Sequence, residues 1–317
     1  MSLVPNQCAL PRDAATATAE RRPKFRVGPK SLPRSEAKPS PTTTAVMTKA
    51  RPVVRAVAAP HEGYVAAPDV RALGLVVDSP RHLLWVGSAA MAVTPGVDSG
   101  AVGQAGLFGF DLKTGRLARR YRVGREDGPH VFGDITVSND GDVYISDSGT
   151  GAIYRKTAAA DTLEMFISPG VFASPQGLAF SDDGKYLYIA DYSRGIMAVN
   201  MASSQVARVI APDDAALLGI DGLARHENTL IAVQNGTTPR RVLRLRLDGF
   251  GTHIIAVETL DSAHPLMHEP THGVVVGDNY YYEATSLWDR LDQGPIDPAD
   301  ATLVPPVVVK IRLLEMR

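Results

Sequence analysis

One phrase recurs five times along the chain and constrains its fold more than any other feature. Each copy has an apolar strand start beside a glycine, then a turn, and then a second apolar strand that ends in a small or polar residue. The copies begin at Leu73-Gly74-Leu75, Gly133-Asp134-Ile135, Gln176-Gly177-Leu178, Asp221-Gly222-Leu223 and His272-Gly273-Val274. Their third residues are 60, 43, 45 and 51 positions apart. Short strands repeating every 40–50 residues are typical of the blades of a β-propeller.

The clearest copy contains four strand-like runs. They are Gly177–Phe180, Tyr186–Ala190, Ile196–Asn200 and Val206–Ile210. The tight-turn triplet Asp182-Asp183-Gly184 separates the first two, as expected for a β-hairpin. No convincing helical periodicity of ten or more residues occurs, so the sequence predicts an all-β propeller.

Five blades can be recognised in the sequence, and we favour a propeller of six blades with a degenerate first blade. The degenerate first blade would come from residues 45–68, where Val53–Ala58 could supply an outer strand. Because a propeller does not leave strand edges open, the N-terminal part of the chain is expected to complete the last blade.

Charge divides the chain into two parts. Residues 1–55 have a net charge of +8, whereas the remainder has a net charge of −9. Residues 1–50 contain seven prolines and no apolar periodicity, which predicts a disordered basic leader followed by a propeller domain over 51–317. An acidic body is a poor partner for nucleic acid or for an anionic membrane surface, and no apolar run is long enough to span a bilayer.

The single cysteine, Cys8, excludes a disulfide framework and a thiolate zinc site. No secretory h-region is visible, so we expect a cytoplasmic protein, although a wrongly assigned start could hide an export signal. We expect a monomer.

The blade geometry predicts which residues line one mouth of the central channel. The start of the innermost strand and the end of the second strand meet on the same face, because the two strands are antiparallel. The strand-one positions are Leu73, Asp134, Gln176, Asp221 and His272, with Glu269 three residues before the last. The strand-two ends are Ser88, Asp147, Asp191, Asn235 and Glu283.

These two rings are rich in acids and amides. Carboxylates that lie close together need a cation, shared protons or hydrogen-bond donors. A hard divalent cation would satisfy that need and could polarise a carbonyl or activate water. Asp147 and Asp191, each followed by a turn, could instead only tie those turns through backbone N–H groups.

His272 is the only histidine at a strand-one start. Its neutral imidazole could serve as a general base or a metal ligand, and the alternative is a packed, hydrogen-bonded histidine. No Gly-x-Ser-x-Gly nucleophile elbow and no nucleotide-binding fingerprint occur.

The third copy, from Ser174-Pro175-Gln176-Gly177-Leu178 to Tyr188-Ile189-Ala190-Asp191, resembles the typical blade phrase of the senescence-marker-protein/gluconolactonase family. Gly219-Ile220-Asp221-Gly222-Leu223 is similar to the next blade of that family. The resemblance covers roughly residues 70–317, and it extends to the superfamily with paraoxonases and strictosidine-synthase-like propellers.

This resemblance implies one catalytic divalent cation, with Ca²⁺ favoured and Mg²⁺ or Zn²⁺ as alternatives. The family's asparagine ligand corresponds to Gln176 and its aspartate to Asp221, while Asp134 stands where paraoxonases add a ligand. The family's glutamate is not matched in any copy, since Leu73-Gly74-Leu75 stands where it would be sought.

The resulting hypothesis is a hydrolase that opens a lactone or ester, with the cation on Asp134, Gln176 and Asp221. Asp221 and His272 are the candidate catalytic residues. The predicted substrate-binding residues are Asp147, Asp191, Asn235, Glu269 and Glu283. The alternative is a propeller without catalysis that binds a small molecule or a protein and has a vestigial metal site. A strictosidine-synthase-like condensation, with Glu283 or Glu269 as base, is a third hypothesis.

Overall fold

A computed structural model describes residues 44–45, 71–93, 97–286, 288–291 and 305–313. All of them belong to one compact unit, Pro39–Arg317. The predicted leader therefore lies outside the described residues except for Thr44–Ala45, and so does Val53–Ala58.

The described strands form five antiparallel four-stranded sheets. Sheet 1 contains β2 (Arg71–Asp78), β3 (Leu83–Ala89), β4 (Ala105–Asp111) and β5 (Leu117–Val123). Sheet 2 contains β6 (Phe132–Val137), β7 (Val143–Asp147), β8 (Ala152–Lys156) and β9 (Leu163–Ile167). Sheet 3 contains β10 (Pro175–Phe180), β11 (Tyr186–Asp191), β12 (Gly195–Asn200) and β13 (Val206–Arg208).

Sheet 4 contains β14 (Ile220–His226), β15 (Thr229–Gln234), β16 (Arg241–Leu247) and β17 (Ile254–Ser262). Sheet 5 contains β18 (Gly273–Val276), β19 (Asn279–Glu283), β20 (Val308–Arg312) and β1 (Thr44–Ala45). Two short helical segments complete the described elements: a 3₁₀ turn at Ser79–Arg81 and the single-turn helix α1 (Trp288–Leu291).

The prediction of an all-β propeller is confirmed, but the preference for six blades is not supported, since the described residues form five. Thr44 pairs with Lys310 and Ala45 with Val309, so the N-terminal part of the chain completes the last sheet, as expected. That pairing places Thr44–Ala45 on the outer edge of sheet 5, where they are not part of a separate first blade.

The core consists of apolar layers between consecutive sheets. Between sheets 1 and 2, Trp85 and Leu107 pack in one cluster with Phe132 and Ile145. Equivalent clusters join sheet 2 to sheet 3, sheet 3 to sheet 4, and sheet 4 to sheet 5. Face-to-face burial of this kind fixes the order of the blades around the channel.

The inner strands of sheets 1 to 4 each begin with a register irregularity. In sheets 2 and 3 the irregularity lies between Phe132 and Ile135 and between Pro175 and Leu178. A bulge of this kind bends the strand and changes the direction of its side chains, and bulges are common beside functional sites. The register irregularity is therefore located at the starts of the inner strands, where the candidate site residues stand.

Glycine after the strand-one candidate allows neighbouring inner strands to approach. A Cβ at Gly222 would overlap the backbone oxygen of Thr271 and lie 3.0 Å from Cα of His272. This contact brings the starts of β14 and β18 together, so that Asp221 and His272 become neighbours across two sheets.

Candidate active site at the channel mouth

Four ionisable side chains from three sheets form the centre of the candidate site, and we call them the channel cluster. They are Asp134, Asp221, His272 and Glu283. The charges of the three carboxylates all act on the imidazole of His272. The predicted convergence of strand-one starts with a strand-two end therefore occurs for these four residues.

His272 has the least satisfied side chain in the channel cluster. Its Nδ1 is buried and has no hydrogen-bond partner among the residues that the structure describes, and it lies 3.9 Å from Oδ2 of Asp134. The side chain as a whole is 29% exposed, so part of the ring other than Nδ1 reaches solvent. Burial disfavours the imidazolium, but the charges of Asp134, Asp221 and Glu283 outweigh it and raise the pKa of His272 above 6.5.

Asp134 connects sheet 2 to sheet 3. Its Oδ1 accepts the backbone N–H of Ile135 at 2.9 Å, and its Oδ2 accepts that of Leu178 at 3.3 Å. Burial raises the pKa of Asp134, and the neighbouring His272 partly offsets this rise. Asp134 is thus both an inter-sheet tie and the negative charge nearest to Nδ1 of His272.

Asp221 is held by a short hydrogen-bonded chain. Nδ2 of Asn235 donates to Oδ2 of Asp221 at 2.5 Å and to the carbonyl oxygen of Pro270 at 2.9 Å. The hydroxyl of Tyr192 donates to Oδ1 of Asn235 at 3.0 Å. Asn235 therefore fixes the orientation of the Asp221 carboxylate and links sheets 3 and 4 to the segment that leads into sheet 5.

Glu283 ends β19 on the same side of the channel. The hydroxyl of Thr271 donates to its Oε2 at 3.1 Å. Burial raises the pKa of Glu283, while His272 acts in the opposite direction. The channel cluster therefore combines two carboxyls with raised pKa values and one histidine with a raised pKa, which are groups suited to holding and moving protons.

The structure places the other predicted residues differently. Gln176 is the second residue of β10 and donates from Nε2 to Oγ of Ser174 at 3.0 Å, with its Oε1 near Gly133. Glu269 is 2% exposed, and its Oε2 accepts the backbone N–H of Asp289 at 2.6 Å. Glu269 thus contacts α1.

Asp147 and Asp191 are fully buried and tie turns together. Asp147 accepts the backbone N–H groups of Val131 and Gly149 and the hydroxyl of Thr150, and its Oδ2 lies 2.6 Å from Nδ1 of His130. Asp191 accepts three backbone N–H groups, those of Ala173, Ser193 and Arg194. Their described contacts match the turn-tying alternative.

Three residues of the site were not identified from the sequence: Thr271, Tyr192 and Tyr280. Thr271 and Tyr192 each stand directly beside a predicted site residue, and that adjacency was the available signal. The hydroxyl of Tyr280 is buried without a hydrogen-bond partner in the described part of the chain. A Cβ at Gly273 would overlap this hydroxyl, so the phenol lies against the strand that follows His272.

The predicted cation ligands Asp134, Gln176 and Asp221 make other hydrogen bonds in this arrangement. Among the described residues, no group of three or more His, Cys, Asp or Glu side chains is placed to hold a metal ion. Both carboxylate oxygens of Asp134 accept backbone N–H groups, and Oδ2 of Asp221 accepts Asn235. A Ca²⁺ ion takes six to eight oxygen ligands, and these carboxylate oxygens already accept hydrogen bonds. Cation binding through Asp134, Gln176 and Asp221 stays a prediction.

No known family profile matches the sequence, and no curated protein matches it. Solved structures do match the fold. A nidogen/laminin complex gives a TM-score of 0.50 at 18% identity, over 68% of this chain and 73% of that one. A streptogramin B lyase gives 0.50 at 14% identity, over 70% of this chain and 65% of that one. A luciferin-regenerating enzyme gives 0.48 at 15% identity, over 77% and 91%.

At these identities the first two comparisons show the β-propeller fold alone. The narrower resemblance to the gluconolactonase family has no support from the sequence comparisons. In the described part of the chain, no helix is long and apolar enough to cross a membrane.

Proposed function

We propose that the channel mouth hydrolyses a small lactone or ester, with His272 moving the proton. The observation that carries this proposal is the position of His272, whose imidazole is acted on by three carboxylates, is buried at Nδ1 and is exposed elsewhere on the ring. A general base needs a nitrogen within reach of water, and its ring needs neighbours that stabilise the imidazolium once it forms. Asp134, Asp221 and Glu283 supply that stabilisation.

The proposed reaction keeps its protons in balance. Neutral His272 removes a proton from water as the oxygen attacks the acyl carbon, and the resulting imidazolium is stabilised by the carboxylates. The carbon–oxygen bond to the leaving alkoxide then breaks, and the imidazolium returns the proton to that oxygen. The products are a carboxylic acid and an alcohol, joined in one molecule when the substrate is a lactone.

The other members of the channel cluster have distinct roles in this proposal. Asp134 is the negative charge nearest to the imidazole. Asp221, oriented by Asn235, acts on the same imidazole from the neighbouring sheet. Glu283 is the third carboxylate whose charge acts on the imidazole, and its Oε2 accepts the hydroxyl of Thr271.

A second candidate is binding of a small molecule without catalysis. The hydrogen bonds already made by Asp134 and Asp221 favour it, since both carboxylates have structural partners. In this case the cluster would recognise a ligand and its raised pKa values would have no catalytic consequence.

Hydrolysis of δ-valerolactone, gluconolactone and phenyl acetate by the full chain tests the proposal. We expect turnover by the wild type and a loss of about 10²-fold or more in His272→Gln, which removes the proton-transfer group. His253→Gln is the matched control, because this histidine lies on a turn of sheet 4 beside Asp248. No turnover of any substrate would favour the binding function, whereas equal turnover by His272→Gln and the wild type would refute the role of His272.

The same assay tests the cation. Loss of turnover after dialysis against a chelator, with recovery on adding Ca²⁺ but not in Asp221→Ala, would establish a cation-dependent hydrolase. Turnover that is unaffected by the chelator would establish catalysis by the side chains alone.

A further inference from the structure

The outer strand of sheet 1 contains an unusual series of arginines. Between positions 113 and 125 the chain has six basic residues and no acidic one, although residues 56–317 contain only 22 basic residues against 31 acidic ones. The five arginines are Arg116, Arg119, Arg120, Arg122 and Arg125, and all five are exposed. We call β5 with these five residues the arginine edge.

Two kinds of group at the arginine edge could contact a partner: backbone groups of β5 and the guanidinium groups of its arginines. Strand β5 pairs with β4 on one side, and no described strand pairs with its other side. Of the five arginines, only Arg119 forms a described side-chain hydrogen bond to a backbone carbonyl, that of its neighbour Ala118, and none forms an ion pair with a described residue. Backbone groups and guanidinium groups are therefore both available on one strip of surface.

Protection of an exposed strand edge is the ordinary reason for charge there. The outer strands of the neighbouring sheets achieve it with few charges: β9 has Glu164, β13 has Arg208, and β17 has Glu258 and Asp261. Glu164 and Glu258 are moreover engaged in ion pairs with arginines of the adjacent strand. Strand β5 itself has three arginines, Arg119, Arg120 and Arg122, and none of them forms an ion pair with a described residue. This charge of one sign exceeds what the other edges require.

We propose that an extended acidic segment of a partner protein binds along β5 as an added strand. Main-chain hydrogen bonds to a sheet edge give affinity in this mode of recognition, and alternate side chains give specificity. Arg120 and Arg122 stand opposite Phe108 and Gly106 on one face of the sheet, so they are about 7 Å apart along the strand. Glu or Asp at every second position of the partner has the same spacing.

Arginine is suited to this partner because its planar guanidinium forms paired hydrogen bonds with a carboxylate. Nucleic acid fits less well. The one aromatic side chain of β5, Tyr121, is buried and donates to Asp161, so β5 offers no surface on which a base could stack. A long polyanion would also meet the acidic remainder of the protein, whereas a short acidic strand contacts only the arginine edge.

A labelled ten-residue peptide of alternating glutamate and valine is the probe, and fluorescence anisotropy with the full chain is the measurement. We expect saturable binding that weakens at least about tenfold between 50 and 300 mM salt, as exposed charge pairs are screened. The double variant Arg120→Glu/Arg122→Glu should bind at least about tenfold more weakly. Arg208→Glu, on the outer strand of sheet 3, is the matched control and should bind like the wild type.

Two further arms separate strand addition from simple charge attraction. A peptide of the same sequence that is N-methylated at every residue has equal charge but cannot donate backbone hydrogen bonds, so it should bind much more weakly. Amide hydrogens of residues 117–123 in the wild-type protein should exchange more slowly when the glutamate–valine peptide is bound. This second measurement does not depend on any variant folding.

The proposal is overturned if the N-methylated peptide binds equally well, if the double variant folds and binds like the wild type, or if β5 gains no exchange protection. Tighter binding of a twenty-nucleotide single-stranded DNA than of the peptide would assign the arginine edge to nucleic acid instead. Self-association of the wild type that is abolished in the double variant would assign it to a second copy of this chain.

Discussion

Replacement of Gly177 by alanine tests the close approach of inner strands on which the channel cluster depends. A Cβ at Gly177 would overlap the backbone nitrogen of Leu223, and it would lie 2.7 Å from Cβ of Leu223 and 2.8 Å from the carbonyl oxygen of Asp221. The backbone of Gly177 does not require a left-handed conformation, so contact is the sole source of strain in the variant. The inner strands of sheets 3 and 4 would have to separate.

The magnitude follows from what must move. Adding atoms to a filled interior costs about 1–3 kcal/mol, and we expect about 2–3 kcal/mol because the overlapping atoms are backbone. Restriction of the unfolded chain by alanine offsets only about 0.4–1 kcal/mol. The net loss is then about 1–2.6 kcal/mol. For a domain of this size each kcal/mol corresponds to about 2–4 °C, so the melting temperature should fall by about 2–10 °C.

Thermal unfolding followed by circular dichroism measures the difference, with Gly249→Ala as the control. A Cβ at Gly249 would have no atom within 4 Å, so the same substitution should leave the melting temperature unchanged or slightly raised. If Gly177→Ala melts no lower than Gly249→Ala, then the inner strands of sheets 3 and 4 are not in contact and the geometry of the channel cluster is wrong.

Three further predictions concern ionisable groups. Because the pKa of His272 is raised on folding, its contribution to stability is complete below about pH 6.5 and is lost as the pH rises through the folded pKa. Urea titrations between pH 6 and 9 should therefore show a fall in the free energy of unfolding. His272→Gln should reduce this dependence on pH. Asp134→Asn removes a charge that raises the pKa of His272, so the NMR resonances of this imidazole should titrate at lower pH than in the wild type. An unchanged titration midpoint would exclude an interaction between the two side chains. Asp147→Ala leaves several buried donors without an acceptor and should lower the free energy of unfolding by about 3–5 kcal/mol in urea titrations, whereas a loss below about 1 kcal/mol would contradict its turn-tying role.

The sequence predicts individual blades well because their signals are local. For sheet 3 the predicted strand Tyr186–Ala190 is observed as Tyr186–Asp191, and Ile196–Asn200 as Gly195–Asn200. The turn at Asp182-Asp183-Gly184 closes as expected, with Gly184 at a φ of +68°. Alternating apolar residues and turn chemistry determine these elements within about ten residues.

The number of blades is harder to predict because it is a property of the ring. Each copy encodes one sheet and its two packing faces, but the angle between successive sheets depends on side chains from both. The strand that completes sheet 5 is only Thr44–Ala45 in the structure. Two residues without apolar periodicity give no sequence signal, and the predicted leader included them.

In the candidate site, the direction of one side chain, that of Asp134, cannot be predicted from the alternation of side chains along a strand. When the five copies are aligned on their apolar third residue, Asp134 occupies the position that is glycine in the other four. Strict alternation would point it away from the side chains of Gln176 and Asp221. The irregularity between Phe132 and Ile135 removes that constraint, and Oδ2 of Asp134 reaches to 3.9 Å from Nδ1 of His272. A bulge that no sequence pattern predicts therefore places the carboxylate of Asp134 beside the imidazole of His272, where its charge raises the pKa of that ring.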